Sequence, residues 1–581
     1  MKKIAFVLVV ITLFTSCSKS ERQEFEYSGG SITMALEYQM ATNIPRDVLD
    51  YYSAKVLNQI TEGLVGFNPE TLKIEPKLAK SWTKSDDGTK YTFTLRNDVY
   101  FHPHDVFSGL DDRKMTTEDV IKSFEMACTK KEDSSAPNSY SSIFKNLLKG
   151  ADDFLEGKAK SISGLTVSGQ NVTLELLHED QNFLNKMTNV TVSIVSKKII
   201  EAGIESEAVI GTGPFVYTTY KSGEQPELIL LKNTDYYEVD DQGNALPYLD
   251  SVVFVFQSRK LEQLDMFEEG KLDIIVELPT SRITRMLEGR IEDFNSKPPK
   301  LILSNNPLLI SHYYFFNMKD ERFKDPLVRK AFNYAVDRDA IGRDIIRGQY
   351  NDLGEYGIVP PIPRALRGYD FKSIKNVGYT FDPEKAKKLL AEAGYPNGEG
   401  FGSVELRYNI SDTHSAVADE FAKQIFKVLG INVNIDGSSF EQLTADKQVG
   451  NGDIFRNGWS ADYASPETFL MNFYGKFVPD NDSEPSPTNE SRYKNPLFDE
   501  FYEQAQNSDK LSDQMRLFSQ AEVELMKNPP IIPLWYAGDI AIMQSYVRNF
   551  HFNALNHFEF KKVYIKPWTA EEYKAAHAEK N

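Results

Sequence analysis

Asp462 lies in the stretch RNGWSADYASPETFL, walled in by Trp459, Tyr463 and Phe469, with a lone Arg456 six positions upstream. A carboxylate among aromatic rings and a planar guanidinium nearby could grip the positive end and the negative end of one molecule. A loop acid and a surface arginine are the plainer alternative. A second cluster, HPHDV, sets His102 and His104 beside Asp105. Those donors suit zinc or nickel and would give a metal-dependent enzyme. No second group at ligand spacing follows, so an insertion at the surface that happens to be histidine-rich explains HPHDV better. A serine hydrolase would need a G-x-S-x-G elbow, which is absent from the sequence. Gly398 to Gly402, GEGFG, does not join a strand to a helix as phosphate loops do, and reads as a turn. The sequence holds no complete catalytic set, and the reading is that of a protein that is not an enzyme and uses no cofactor.

Several elements are available to hold Asp462 and Arg456. In KYTFTLRNDVYF, Tyr91, Phe93 and Leu95 alternate with Thr92, Thr94 and Arg96, the pattern of a half-buried strand. SITMALEYQ, NVTLELL and PELILLKN read as strands too, and SVVFVFQ as one buried on both faces. Val48, Leu49, Tyr52, Val56, Ile60 and Leu64 fall at helical spacing and share a face. Asp325 with Pro326, and Asp382 with Pro383, are helix starts, while Gly394 with Pro396 is a stop. SVELRYNI and INVNID flank the helix SAVADEFAKQIFKVLG as a βαβ-like unit. VPDNDSEPSPTNESRYKNP is polar and proline-rich, hence a surface loop.

The chain has 581 residues, 41% hydrophobic and 12% aromatic, enough for three or four folded units. A net charge of −18 excludes a nucleic-acid partner that needs a basic face. Lys2 and Lys3 precede the apolar run Ile4 to Phe14, too short to span a bilayer and right for a signal peptide over residues 1–16. FTSC resembles the lipobox of bacterial lipoproteins. That resemblance implies cleavage before Cys17 and a diacylglyceryl group on its sulfur; the alternative is ordinary cleavage with Cys17 incidental. Residues 17–30 are polar and glycine-bearing, a tether. Cys128 is the only other cysteine, so no intramolecular disulfide forms once Cys17 is lipidated.

TEGLVGF, PKLAKSWTKSDDGTKYTFTLRNDV, TEDVIKSF, GTGPF, RKAFNYAVDRDAI, EKAKKLLAEAGYP and WSADY occur in that order. This ordered set resembles the solute-binding proteins of peptide ABC transporters, family 5, of the oligopeptide-binding type. The likeness runs from about Ser31 to Tyr546. It implies an α/β fold of two lobes, periplasmic-binding-protein-like (type II, cluster C), with three domains and a two-strand hinge near YYFFN and PIIPLWY. Lobe I would comprise 31–61, 194–315 and 531–581, with domain II (62–193) on it, and lobe II 316–530. YFHPHDVFSGLDDRKMTTEDV is longer than the family's usual link.

The resemblance also assigns roles. Asp462 matches the acid that meets a peptide's α-ammonium, and Arg456 the arginine that meets its carboxylate. His414 matches a histidine for longer ligands, becoming a cation as pH falls, and Phe440 an aromatic lining position. Gly458 and Ser460 would leave backbone open for main-chain hydrogen bonds, with Trp459 and Tyr463 as walls. The implied receptor is extracytoplasmic, monomeric and lipid-anchored, on the periplasmic side of the cytoplasmic membrane or at the cell surface. It would hand oligopeptides to a permease on cleft closure. Relatives that carry nickel chelates, oligosaccharides or haem supply the alternatives within the binding class.

Overall fold

The computed structural model describes residues 23–578 apart from Ala208, Glu224, Glu277, 279–281, Gly348 and Asp509; the signal peptide and Cys17 lie outside the described residues. In chain order the main strands are β1 (Ser31–Leu36), β2 (Ala79–Lys84), β3 (Lys90–Leu95), β4 (Leu165–Ser168), β5 (Asn171–Glu175), β6 (Phe215–Lys221), β7 (Glu227–Lys232) and β8 (Ser251–Phe256). They continue with β9 (Ile274–Ile275), β10 (Leu301–Phe316), β11 (Tyr350–Leu353), β12 (Val404–Asn409), β13 (Val433–Ser438), β14 (Ile454–Ser460) and β15 (Ile531–Gln544). The helices that matter here are α1 (Tyr51–Ile60), α2 (Thr117–Ala127), α3 (Pro326–Ala335), α4 (Pro383–Glu392), α5 (Asp412–Leu429) and α6 (Phe440–Val449).

One mixed sheet runs β13-β12-β14-β10-β15-β9-β1-β8-β7-β6, with β11 beside β15. Its two central strands are also its longest, 16 and 14 residues, and both halves share them. Leu301–Pro307 of β10 pairs with Gly538–Gln544, next to the lobe I strands. Ser311–Phe315 pairs with Ile531–Tyr536 and, on its other edge, with β14 of lobe II. Between Pro307 and Ser311 the register shifts. In that break the Leu309 N–H donates to the Ala554 carbonyl (2.6 Å), while its own carbonyl accepts from the Ala461 N–H (2.8 Å).

Apolar clusters lie on both faces of each half, around Phe332 and Phe469 in lobe II and around Phe254 and Leu264 in lobe I. Domain II has its own antiparallel sheet, β2-β3-β5-β4, whose inward Tyr91, Phe93, Val172 and Leu174 pack with Phe124 of α2. Free Cys128 is fully buried there, and burial pushes its thiol up. A buried ionic knot joins this domain to lobe I. Lys561 lies 2.7 Å from Glu238 and 3.3 Å from Glu559, and Lys77 lies 3.5 Å from Glu559.

The local signals fold as read where they are local. Asp325 and Asp382 accept from Leu327 and Lys385 N–H groups as N-caps, each followed by its proline. The first helix is shorter than its periodicity suggests. Asp50, in extended backbone, accepts from the Ser53 N–H and caps α1, so Leu49 falls outside it and is 80% exposed. The second half of the expected tether is also not loose. Ala245 N–H donates to the Gln23 carbonyl (2.8 Å), Gly29 N–H to the Tyr248 carbonyl (2.7 Å), and the Phe25 ring stacks on Tyr248 at 4.2 Å.

Candidate functional site

Strand β14 supplies the site. Its ladder with β12 stops at Arg407 opposite Phe455, while its ladder with β10 continues to Ser460. From Arg456 to Ser460, therefore, one edge of β14 has no strand partner among the described residues. Such an edge offers main-chain N–H and C=O groups to an extended ligand.

Arg456 sits opposite Tyr314 on this strand. Its guanidinium donates to Asn409 Oδ1 at 3.2 Å and to His312 Nδ1 at 3.0 Å, and no carboxylate pairs with it among the described residues. Burial pushes it down to about 10. The His312 ring lies flat on Trp535, centroids 4.4 Å apart, which fixes the acceptor nitrogen. Its imidazole is held well below its ordinary value, by burial first and then by Arg456 and His414. Gly458 makes the arrangement possible: a Cβ there would lie 3.0 Å from Arg456 Nη2 and 3.4 Å from His312 Nδ1. The guanidinium thus folds back over Gly458, toward Asp462.

Asp462 follows the end of β14. Thr468 holds it twice, accepting from its N–H at 3.3 Å and donating to its Oδ2 at 3.1 Å. The same hydroxyl oxygen accepts from Trp459 Nε1 at 3.4 Å. The Asp462 side chain is exposed to solvent. Even so, the density of protein around it raises its carboxyl above the ordinary range; Thr468 and Lys186 act the other way and Glu467 adds to the rise. An acid both wetted and enclosed belongs to a cleft wall, not to a projecting loop. Domain II closes one side of that wall. Asn182 Nδ2 donates to Glu467 Oε2 at 3.1 Å, and Lys186, paired with Asp180 at 2.7 Å, faces Glu467 and Asp462. Elsewhere between the halves a cavity of about 350 Å³ remains open, lined by Glu70 and Leu72, Arg364 and Arg367, and His551 and Asn553.

Residues 73–481 match the model of the bacterial extracellular solute-binding proteins, family 5 Middle. The chain belongs to this family. Heme-binding protein A of Haemophilus influenzae is 26% identical to it over 507 residues, 85% of this chain and 84% of that one. The periplasmic oligopeptide-binding protein OppA of Escherichia coli is 24% identical, across 91% and 90%. Among solved structures, the ABC transporter-associated periplasmic binding protein DppA of Helicobacter pylori, in complex with peptide STSA, superposes with a TM-score of 0.74. It is 24% identical and the match covers 93% of this chain and 99% of that one. The two-lobed α/β fold is that of the family 5 proteins.

Within this family 5 chain, the sequence-derived site residues separate into two groups. Arg456, Gly458 and His414 lie together, and Asp462, Trp459 and Tyr463 lie together around Thr468 and Glu467; Ser460 is exposed at the end of the open edge. Phe440 opens α6 just after the capping Ser439 and is 61% exposed. His414 requires a correction. Burial and the neighbouring Arg456 push it down to about 3, so it does not become a cation in the physiological range. HPHDV is also corrected, because His102 is not at the surface. It is fully buried, with Nε2 on the Gly213 carbonyl (3.0 Å) and Nδ1 accepting from Gly211 N–H (3.3 Å). Both ring nitrogens being engaged, His102 has none left for a metal.

His312, Asn409, Asn182, Glu467 and Lys186 were missed. His312 in SHYYFFN carried a weak signal, a polar residue interrupting an apolar strand. The others had none.

Proposed function

We propose that this family 5 protein is a receptor for short peptides with free ends, anchored by lipid at Cys17 and delivering its ligand to an ABC permease. Asp462 takes the α-ammonium and Arg456 the α-carboxylate, and the open edge of β14 pairs with the peptide main chain between them. Trp459 and Tyr463 wall the ammonium end, Gly458 gives room to the guanidinium, and His414 donates to longer ligands as a neutral imidazole. The exposed Phe440 ring is available to ligand side chains. The observation that carries this reading is a half-buried arginine with no carboxylate of its own among the described residues, on the strand that leads to a cleft-wall aspartate. With the guanidinium over Gly458, four residue steps lead to Asp462, two of them within β14, a span of at most about 13 Å at roughly 3.3 Å each. That span suits an extended peptide of about three to four residues.

Calorimetry with a tripeptide and its N-acetylated form tests the assignment. Wild type should prefer the free amine by about tenfold or more, the weight of a charge-assisted hydrogen bond of about 1.5–3 kcal/mol. Asp462→Ala should erase that preference while the melting temperature of the unliganded protein stays nearly unchanged, since among the described residues only Thr468 bonds the carboxylate. Equal affinity of wild type for both forms sinks it.

A further inference from the structure

The segment that joins the body to the anchor bears on how the protein stands on a membrane. From Gln23 on, the chain is fixed to lobe I. Besides the contacts of Gln23, Phe25 and Gly29 already given, Gly30 N–H donates to Asp250 Oδ2 at 3.0 Å, and the Tyr27 ring stacks with Tyr564 at 5.9 Å. Phe25 also meets Tyr564 edge-on at 5.1 Å. Three hydrogen bonds, at Gln23, Gly29 and Gly30, and an aromatic cluster in so short a segment leave it no freedom to swing. Beside Gln23 runs the turn that Ala245 closes against Val239, and Val239, Asp241 and Gln242 are exposed on it.

Six residue steps separate Cys17 from Gln23. Fully extended they reach about 20 Å at 3.3–3.6 Å per residue. A folded body of this length has a radius of gyration of roughly 24 Å and so a diameter more than twice the reach of the leash. A leash that short, ending on a rigid foot, cannot let the body tumble.

We propose that residues Gln23–Gly30 act as a fixed foot that holds lobe I, turn Val239–Gln242 first, against the lipid surface, and leaves lobe II as the half that moves. This rests on the lipid anchor at Cys17. Lobe II is joined to the anchored half through β10 and β15. Cleft closure is then a swing of lobe II over a stationary lobe I. A permease on the same membrane meets lobe I in a constant orientation and senses the ligand through the position of lobe II.

Energy transfer on vesicles tests this. The full-length lipidated protein is bound to phosphatidylcholine vesicles carrying an acceptor-labelled lipid. A donor dye is attached at Gln242→Cys, beside the foot, or at Lys388→Cys, exposed on α4 of lobe II. Transfer should be several-fold stronger from position 242. Inserting about twenty Gly/Ser residues between Arg22 and Gln23, which adds roughly 25 Å of flexible reach, should bring the two positions together. Phe25→Ser, which loosens the foot without lengthening the chain, should narrow the difference. Vesicle-bound protein with equal transfer from both positions overturns the fixed foot alone. Protein that floats with vesicles no better than Cys17→Ser overturns the anchor, and the foot with it.

Discussion

Asn182 and Glu467 join the two lobes through one buried hydrogen bond, Nδ2 to Oε2 at 3.1 Å, with both residues 6% exposed. The carboxylate also accepts from the Tyr463 hydroxyl, from Tyr502 at 3.3 Å and from Gln506 Nε2 at 3.3 Å, all within lobe II. Among the described residues, only the Asn182 bond reaches Glu467 from the other lobe. Removing Asn182 leaves Glu467 satisfied by its other partners, so the loss falls on the closed form. A hydrogen bond to a charged group is worth about 1.5–3 kcal/mol, and the lower end applies here. Asn182→Ala should weaken peptide binding about tenfold by calorimetry and enlarge the ligand-bound radius of gyration in solution scattering. Unchanged affinity and radius would refute the latch.

Gly458 sets the position of Arg456. A methyl group 3.0 Å from Nη2 and 3.4 Å from His312 Nδ1 makes the guanidinium give way by a few tenths of an ångström and loosens its bonds to His312 and Asn409. Because the clash is with the far end of a flexible side chain, Gly458→Ala should fold normally. It should lose discrimination between a peptide acid and the same peptide amidated at its C-terminus. Wild type should prefer the acid by about tenfold or more, from a bidentate charge-assisted pair. A variant that retains the full preference shows that Arg456 does not read the carboxylate.

His414 stays neutral down to about pH 3, because burial and Arg456 both oppose its protonation. Between pH 5 and 8, wild type and His414→Gln should therefore show the same slope of peptide affinity against pH. A wild-type gain in affinity toward pH 5 that the variant lacks would restore the cationic role.

Glu522 gives a stability test with a defined sign. Burial raises its carboxyl to about 7, although Tyr369 and the N–H groups of Ile358 and Val359 (2.8 Å for the latter) stabilise the ionised form. A raised folded value means that its favourable contribution is complete below the unfolded value of 4.5 and is lost as pH rises through about 7. Gln at this position cannot ionise. The melting temperature of Glu522→Gln relative to wild type should rise from pH 5 to pH 8 and then level off. Parallel melting curves across that window would contradict the assignment.

What was legible in the sequence was local or one-dimensional. Tyr91, Phe93 and Leu95 declare β3 because strand alternation is written in consecutive residues. Asp325 and Asp382 declare their helices because a cap and its helix are neighbours. Leu49 misled because periodicity ignores the cap one residue later. The pairings that finish the site are long-range. His312 meets Arg456 across 144 residues, and Asn182 meets Glu467 across 285. Nothing in either stretch encodes its partner. His102 was misjudged for the same reason, since the carbonyl that buries it belongs to Gly213.

The long central strands, with Leu309 set in their crease, make the two halves inseparable. Cleaving the loop beside one strand would not release a half, because the other strand would still bridge them. Expressed alone, either half would present a raw stretch of backbone where β10 and β15 should be, an invitation to stick to its own copies. The Leu309 carbonyl also grips Ala461, the residue before Asp462. Any bend at the crease must therefore tug on the aspartate, so the joint and the proposed ligand grip work as one part.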